Sequence, residues 1–187
     1  SCSECGAAGR NFQAPLPCVT GKRLVPQLIE ADHWPGALLR DGSDPSTLTD
    51  DCDTNEGDLT DLPRGMCEGI AEVIFSASSG SKTRPDITAK VHRGGRKAQI
   101  DWVKAAGVKR FVMLSNGGAH DPDPDSDLYN DALTKKAANK HPIASGVPYA
   151  IIPPGTLPHD DGQRAFALSG VEGDGTTARG DIAVVLV

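Results

Sequence analysis

Short, fully apolar runs alternate along this chain with longer segments of helical period. The clearest is residues 106–123, AGVKRFVMLSNGGAHDPD. Ala105-Ala106-Gly107 ends a helix, Lys109 and Arg110 form a basic step, and Phe111 to Leu114 is an unbroken apolar strand. Ser115 stops that strand and Asn116-Gly117-Gly118 opens a loop. A wholly apolar strand fed by a helix is what a parallel sheet covered on both faces requires. The same reading predicts a helix over Lys22–Ala31, with Leu24, Val25, Leu28 and Ile29 inward and Pro26 in its first turn. It predicts a short strand at Ala37–Leu39, a strand closing at Gly57–Asp61, and a buried strand from Ile70 to Ala77. Ile87–Ala106 reads as a long helix, Asp131–Ala144 as a helix whose end Pro142 disrupts, and Pro148–Ile152 as an apolar strand. Ile182–Val187 closes the chain as helix or strand. The alternation predicts a single α/β domain over 1–187, built on a parallel sheet with right-handed crossovers.

Composition narrows the function classes. Hydrophobic residues make up 38% and aromatics only 4%, so the core is aliphatic. A net charge of −6 argues against nucleic acid or an anionic membrane as partner, and leaves room for a small anion held by local positive charge. No segment reaches the roughly 18 apolar residues of a membrane span. The start, SCSECGAAGR, lacks the apolar core of a signal peptide. Five cysteines at irregular spacing fit a reducing compartment, so the expected location is the cytoplasm or an organelle stroma or matrix. Cys2-x-x-Cys5 has no second pair, the histidines are scattered, and prolines interrupt the acidic run Asp121, Asp123, Asp125, Asp127. No metal is expected.

Several residues stand where chemistry belongs in such a fold, at the carboxyl ends of strands. Gly6 and Gly9 form a GxxG pair followed by Arg10, a fragment of a pyrophosphate loop. Phe12 replaces the third glycine at that spacing, and Gly21 takes its place only if residues 10–20 are an insertion. Arg40 ends the second strand, where an arginine holds the 2′-phosphate of NADP; Asp41, next to it, is the residue type that selects NAD. Asp58 is an acceptor for an adenine amino group or a helix cap. Ser115, Tyr129 and Lys135 are the residue types that protonate a carbonyl during hydride transfer. That chemistry needs Tyr and Lys one helical turn apart, and here they are six residues apart.

In order along the chain come GDLTD (57–61), VIFSASSGS (73–81), AAGVKRFVMLS (105–115), SGVPYAIIPPGTL (145–157) and ARGDIA (178–183). Through these the chain resembles the atypical short-chain dehydrogenase/reductase family, in its small NAD(P)-binding branch of NmrA-like and biliverdin/flavin-reductase-like proteins. The resemblance covers about residues 22–187, with a C-terminal part short for the family. It implies a Rossmann-like doubly wound parallel sheet with a dinucleotide, NADP or NAD, across the strand ends. By position it places Gly6, Gly9 and Arg10 at the pyrophosphate, Arg40 at the adenosine phosphate, and Asp58 and Leu59 beside the adenine. Ala77, Ser78 and Ser79 would line the ribose, and Lys135 matches the family lysine. Pro154, Gly155 and Thr156 would border the nicotinamide pocket beside Ser115. The Pro153-Pro154 pair is also found in the biliverdin/flavin-reductase branch, which lacks the Tyr/Lys pair. The implied function is NADPH-dependent reduction of a small carbonyl, quinone or flavin by a monomer or homodimer. The alternatives are a non-catalytic NADP(H) sensor of NmrA-like type and a sugar-nucleotide epimerase or dehydratase, for which the chain is short.

Overall fold

The computed structural model describes residues 10–16, 19–58, 67–76, 96–126, 129–164 and 175–187. Six strands form one parallel sheet: β1 (Arg10–Leu16), β2 (Trp34–Leu39), β3 (Asp53–Glu56), β4 (Glu72–Phe75), β5 (Arg110–Leu114) and β6 (Tyr149–Ile152). Their order is β3-β2-β1-β4-β5-β6, that of the dinucleotide-binding fold. Among the described residues, four helices accompany them: α1 (Val19–Glu30), α2 (Arg96–Ala105), α3 (Tyr129–Ser145) and α4 (Arg179–Leu186).

Side chains alternate across each strand, and that alternation builds two cores. From β4 and β5, Val73, Phe75, Phe111 and Met113 pack with Ile100 and Val103 of α2 on one face. Ile74, Val112 and Leu114 point the other way, onto Leu24 and Leu28 of α1 and Ile182, Ala183 and Leu186 of α4. Opposite faces for α1 and α2 follow from right-handed crossovers that leave the sheet centre in opposite directions.

The first strand departs from the sequence-based expectation. Residues 10–16, RNFQAPL, form a central strand paired with β2 from Arg10↔Trp34 to Leu16↔Leu39, with a register shift between Arg10 and Phe12, and also paired with β4. Polar Asn11 and Gln13 and the donor-less Pro15 hide it from any apolar pattern. The first strand therefore ends at Leu16 and the first helix starts at Val19, so the connection between them does not fall at 6–10. Likewise the third strand is Asp53–Glu56, exposed throughout and ending just before Gly57; residues 59–61 lie outside the described residues. It is an edge strand held by its ladder to β2 from Gly36↔Asp53 to Leu39↔Glu56, so no apolar signal marks it.

Both helix prolines sit deeper than expected. Because α1 begins at Val19, Pro26 lies in its middle, where a missing N–H and a ring clash cost about 3 kcal/mol. Complete burial of Leu24 and Leu28 offsets this. Helix α3 runs through Pro142 to Ser145. There the Ser145 hydroxyl donates to the Pro142 carbonyl (2.7 Å) and accepts from the Val147 N–H (3.1 Å). Helix α2 ends with Gly107 at φ +68, the Val108 N–H donating to the Val103 carbonyl and the Gly107 N–H to that of Lys104, a Schellman end.

Candidate functional site

The strand order reverses between β1 and β4, and in such sheets ligands bind outside the carboxyl ends at the reversal. Two described regions flank that point.

The first is an open groove of about 770 Å³ beyond the carboxyl ends of β2 and β3. Arg40, the first residue past β2, lines it with Lys22 from α1. Four carboxylates line it as well, Asp41, Asp44, Glu56 and Asp58. Asp44 caps the single helical turn Pro45–Thr47, accepting from the Ser46 N–H (2.9 Å) and hydroxyl (2.8 Å). That hydroxyl, then the N–H, holds its carboxyl below the usual carboxylate range. Asp58 is exposed just beyond β3. Lys22 is a cation that strand-end reasoning overlooked; it is legible only once Val19 is known to start α1.

The second region is the mouth formed by the loops after β5 and β6. Ser115 is 5% exposed. Its N–H donates to the Ile152 carbonyl (2.8 Å), and its hydroxyl meets the Asn139 carboxamide of α3, 3.1 Å from Nδ2 and 3.2 Å from Oδ1. The Gly117 N–H donates to the Pro154 carbonyl (2.7 Å), which ties the two loops together. Pro154 is buried and Thr156 exposed, its N–H bonded to the Gly175 carbonyl. Asn139 escaped the sequence reading; its signal is its place one turn after Lys135.

Tyr129 opens α3, half-buried, whereas Lys135 is buried. Six residues at about 100° each put them roughly 120° apart around the helix. On α3 the two are thus not the one-turn Tyr/Lys pair that shares a helix face. Arg10 opens β1 at the amino edge of the sheet, away from the strand ends, so the pyrophosphate role given to it is corrected. Gly6, Gly9, Leu59, Ala77, Ser78 and Ser79 lie outside the described residues. Gly21 stands buried in the first turn of α1, where a dinucleotide loop has its third glycine. Counting back by that spacing, Cys18 and Leu16 take the places of the other two.

Two buried polar atoms bear on whether a dinucleotide fits. Asn116 Oδ1, at the end of β5, and Arg179 Nε, at the start of α4, lack protein partners. Asn116 shares the strand parity of Val112 and Leu114, which face α1 and α4. The Arg179 Nη1 group donates to the Thr20 hydroxyl in the first turn of α1 (3.0 Å). An unpaired acceptor and donor at this end of the sheet suit a ligand with hydroxyl, amide and phosphate groups.

Among the described residues, no group of three His, Cys, Asp or Glu side chains could hold a metal ion, and no helix is long and apolar enough to cross a membrane. Cys52 and Cys67 are buried free thiols. Desolvation, with Asp53 adding to it at Cys52, pushes both from 9.0 to about 11. Unfolded thiols ionise first, so the thiol contribution to stability is complete below pH about 9 and is lost as pH rises towards about 11. Urea unfolding at pH ~8 and ~10.5 should show wild type losing more stability than Cys52→Ala/Cys67→Ala. Equal losses would refute the shifts.

A parallel sheet with this order, helices on both faces and polar strand ends defines a dinucleotide-binding domain. The chain belongs to the NAD(P)H-binding family, which matches residues 19–187. Its sequence is 33% identical over 125 residues to the uncharacterised sugar epimerase YhfK of Bacillus subtilis, covering 64% of this chain and 56% of that protein. It is 38% identical over 71 residues to sanguinarine reductase of Eschscholzia californica, covering 36% and 26%. The chain thus spans about half or less of the curated relatives it matches. Among solved structures, a putative NAD-dependent epimerase/dehydratase from Bacillus halodurans superposes with a TM-score of 0.83 at 24% identity, over 95% of this chain and 86% of that one. The oxidoreductase ylbE of Lactococcus lactis does so at 0.75 and 20%, over 92% and 81%. These likenesses show the Rossmann-like fold.

Proposed function

We propose that this protein is an NAD(P)-dependent oxidoreductase that prefers NADPH and reduces a small carbonyl, quinone or flavin. The observation that carries this reading is the groove beyond β2 and β3, where Arg40 and Lys22 are the lining cations. A 2′-phosphate seated there gains charge-assisted bonds from both. The neighbouring Asp41 and Asp58 are acceptors for ribose and adenine, and their charge opposes the phosphate, so Arg40 decides the preference. When bound, the nicotinamide supplies hydride. The chain's part is to hold the acceptor at the mouth lined by Ser115, Asn116 and the Pro154-Gly155-Thr156 turn. The partner in this reading is a small molecule, and neither nucleic acid nor a membrane enters it.

A second reading, an NADP(H) sensor without turnover, draws support from the phase of Tyr129 against Lys135 on α3. An epimerase or dehydratase reading draws on the names of YhfK and the Bacillus halodurans protein alone. One experiment separates them: calorimetry with NADPH and NADH, then an acceptor panel of quinones, flavins and ketones. Heat of binding with NADPH and turnover that survives Tyr129→Phe are the expected results. Binding without turnover of any acceptor removes the reductase, and conversion of an added sugar nucleotide then selects the epimerase over the sensor. No heat with either cofactor at millimolar concentration removes both the reductase and the sensor.

A further inference from the structure

Ser115 ends β5 with a nearly buried hydroxyl whose described side-chain partner is the Asn139 carboxamide. A hydroxyl has one proton and two lone pairs. With Oγ 3.1 Å from Nδ2 and 3.2 Å from Oδ1, two arrangements share one set of heavy-atom positions. In the first, the hydroxyl donates to Oδ1 and its proton is spent. In the second, Nδ2–H donates to Oγ, and the hydroxyl proton turns outward to another acceptor. The second also makes the hydroxyl a better donor, because a bond received at oxygen polarises the O–H it gives.

We propose that Asn139 is a positioning residue for Ser115: its amide N–H backs Oγ and frees the hydroxyl proton for the oxygen of a bound acceptor. This rests on the oxidoreductase reading and narrows its substrate class. As hydride from NADPH forms a C–H bond at the acceptor carbon, the C=O π pair moves onto oxygen. Ser115 stabilises that charge by hydrogen bonding and keeps its own proton, while solvent protonates the product and the nicotinamide leaves oxidised. The arrangement favours carbonyl compounds and quinones, whose reduction puts charge on oxygen, over flavins, which take hydride on a ring nitrogen. Placement agrees: Lys135 and Asn139 stand one turn apart on α3, and Ser115 has the strand parity of Phe111 and Met113, which pack on α2, while its hydroxyl reaches α3 through Asn139.

The test uses NADPH and 1,4-naphthoquinone with the full chain. Asn139→Asp keeps the shape but offers only acceptors, so it captures the Ser115 proton. Asn139→Leu removes the backing and leaves the proton free. The expected order of kcat is wild type, then Asn139→Leu, then Asn139→Asp, the last about ten- to a hundredfold down, near Ser115→Ala. KM and NADPH affinity should stay within about twofold, and Ser115→Ala/Asn139→Asp should be no worse than either single change. A packing role alone gives the reverse order, with the near-isosteric Asp milder than Leu. That order, or losses that multiply in the double variant, overturns the proposal. A wild type that binds NADPH but reduces no acceptor overturns the oxidoreductase reading, and this inference with it.

Discussion

Arg40→Ala should weaken NADPH binding by about ten- to a hundredfold while changing NADH affinity less than about threefold. The guanidinium stands directly past the last residue of β2, in a groove it shares with Lys22 and four carboxylates. One charge-assisted contact to a phosphate is worth about 1.5–3 kcal/mol, which sets that range. The carboxylates sharpen the expectation, because with Arg40 gone a 2′-phosphate faces Asp41 and Asp58 with Lys22 as the remaining lining cation. Added salt should weaken NADPH binding more than NADH binding in wild type, and this difference should shrink in the variant. Calorimetric titration of both proteins with both cofactors checks it. An unchanged NADPH/NADH ratio in Arg40→Ala would mean that the groove does not hold the adenosine phosphate.

Gly180→Ala should lower the melting temperature by roughly 6–12 °C, from a loss of about 3 kcal/mol. Gly180 is buried in the first turn of α4, and a Cβ there would collide with the carbonyl oxygen and carbon of Asp161. The obstacle is backbone, so no rotamer relieves it. The loop around Asp161 would have to leave α4, and its bonds would go with it. These include the Gly180 N–H to the Asp160 carbonyl (3.2 Å) and the Gln163 and Arg164 N–H groups to the buried Asp181 carboxylate (3.0 and 2.6 Å). The same loop is laid on α1 by Arg23, which donates to Asp161 and to the His159 carbonyl. Gly175→Ala is the control, since nothing lies within 4 Å of its added Cβ and its shift should stay within about 1 °C. Differential scanning fluorimetry reads both. Equal shifts in the two variants would contradict the close fit of loop to helix.

Local pattern made much of this fold legible. The apolar runs at 111–114 and 149–152 are strands, and the helical spacing of Leu24, Val25 and Leu28 marks the buried face of α1. Strand 111–114 and the α1 face enter the core, and Ala150, Ile151 and Ile152 pack against it half-buried, so burial leaves its period in the chain. Arg40 was legible for the same reason: it directly follows a buried run. RNFQAPL and DTNE left no such trace. They are strands because β2, β4 and their own main-chain groups complete a ladder, and a ladder bond does not depend on side-chain polarity. Only the folded chain placed the first strand-to-helix turn, set Lys22 beside Arg40, and moved Arg10 to the far edge of the sheet. It also put Asn139 against Ser115, 24 residues away in sequence. Such pairings are settled by strand order and helix packing, which no local window of residues records.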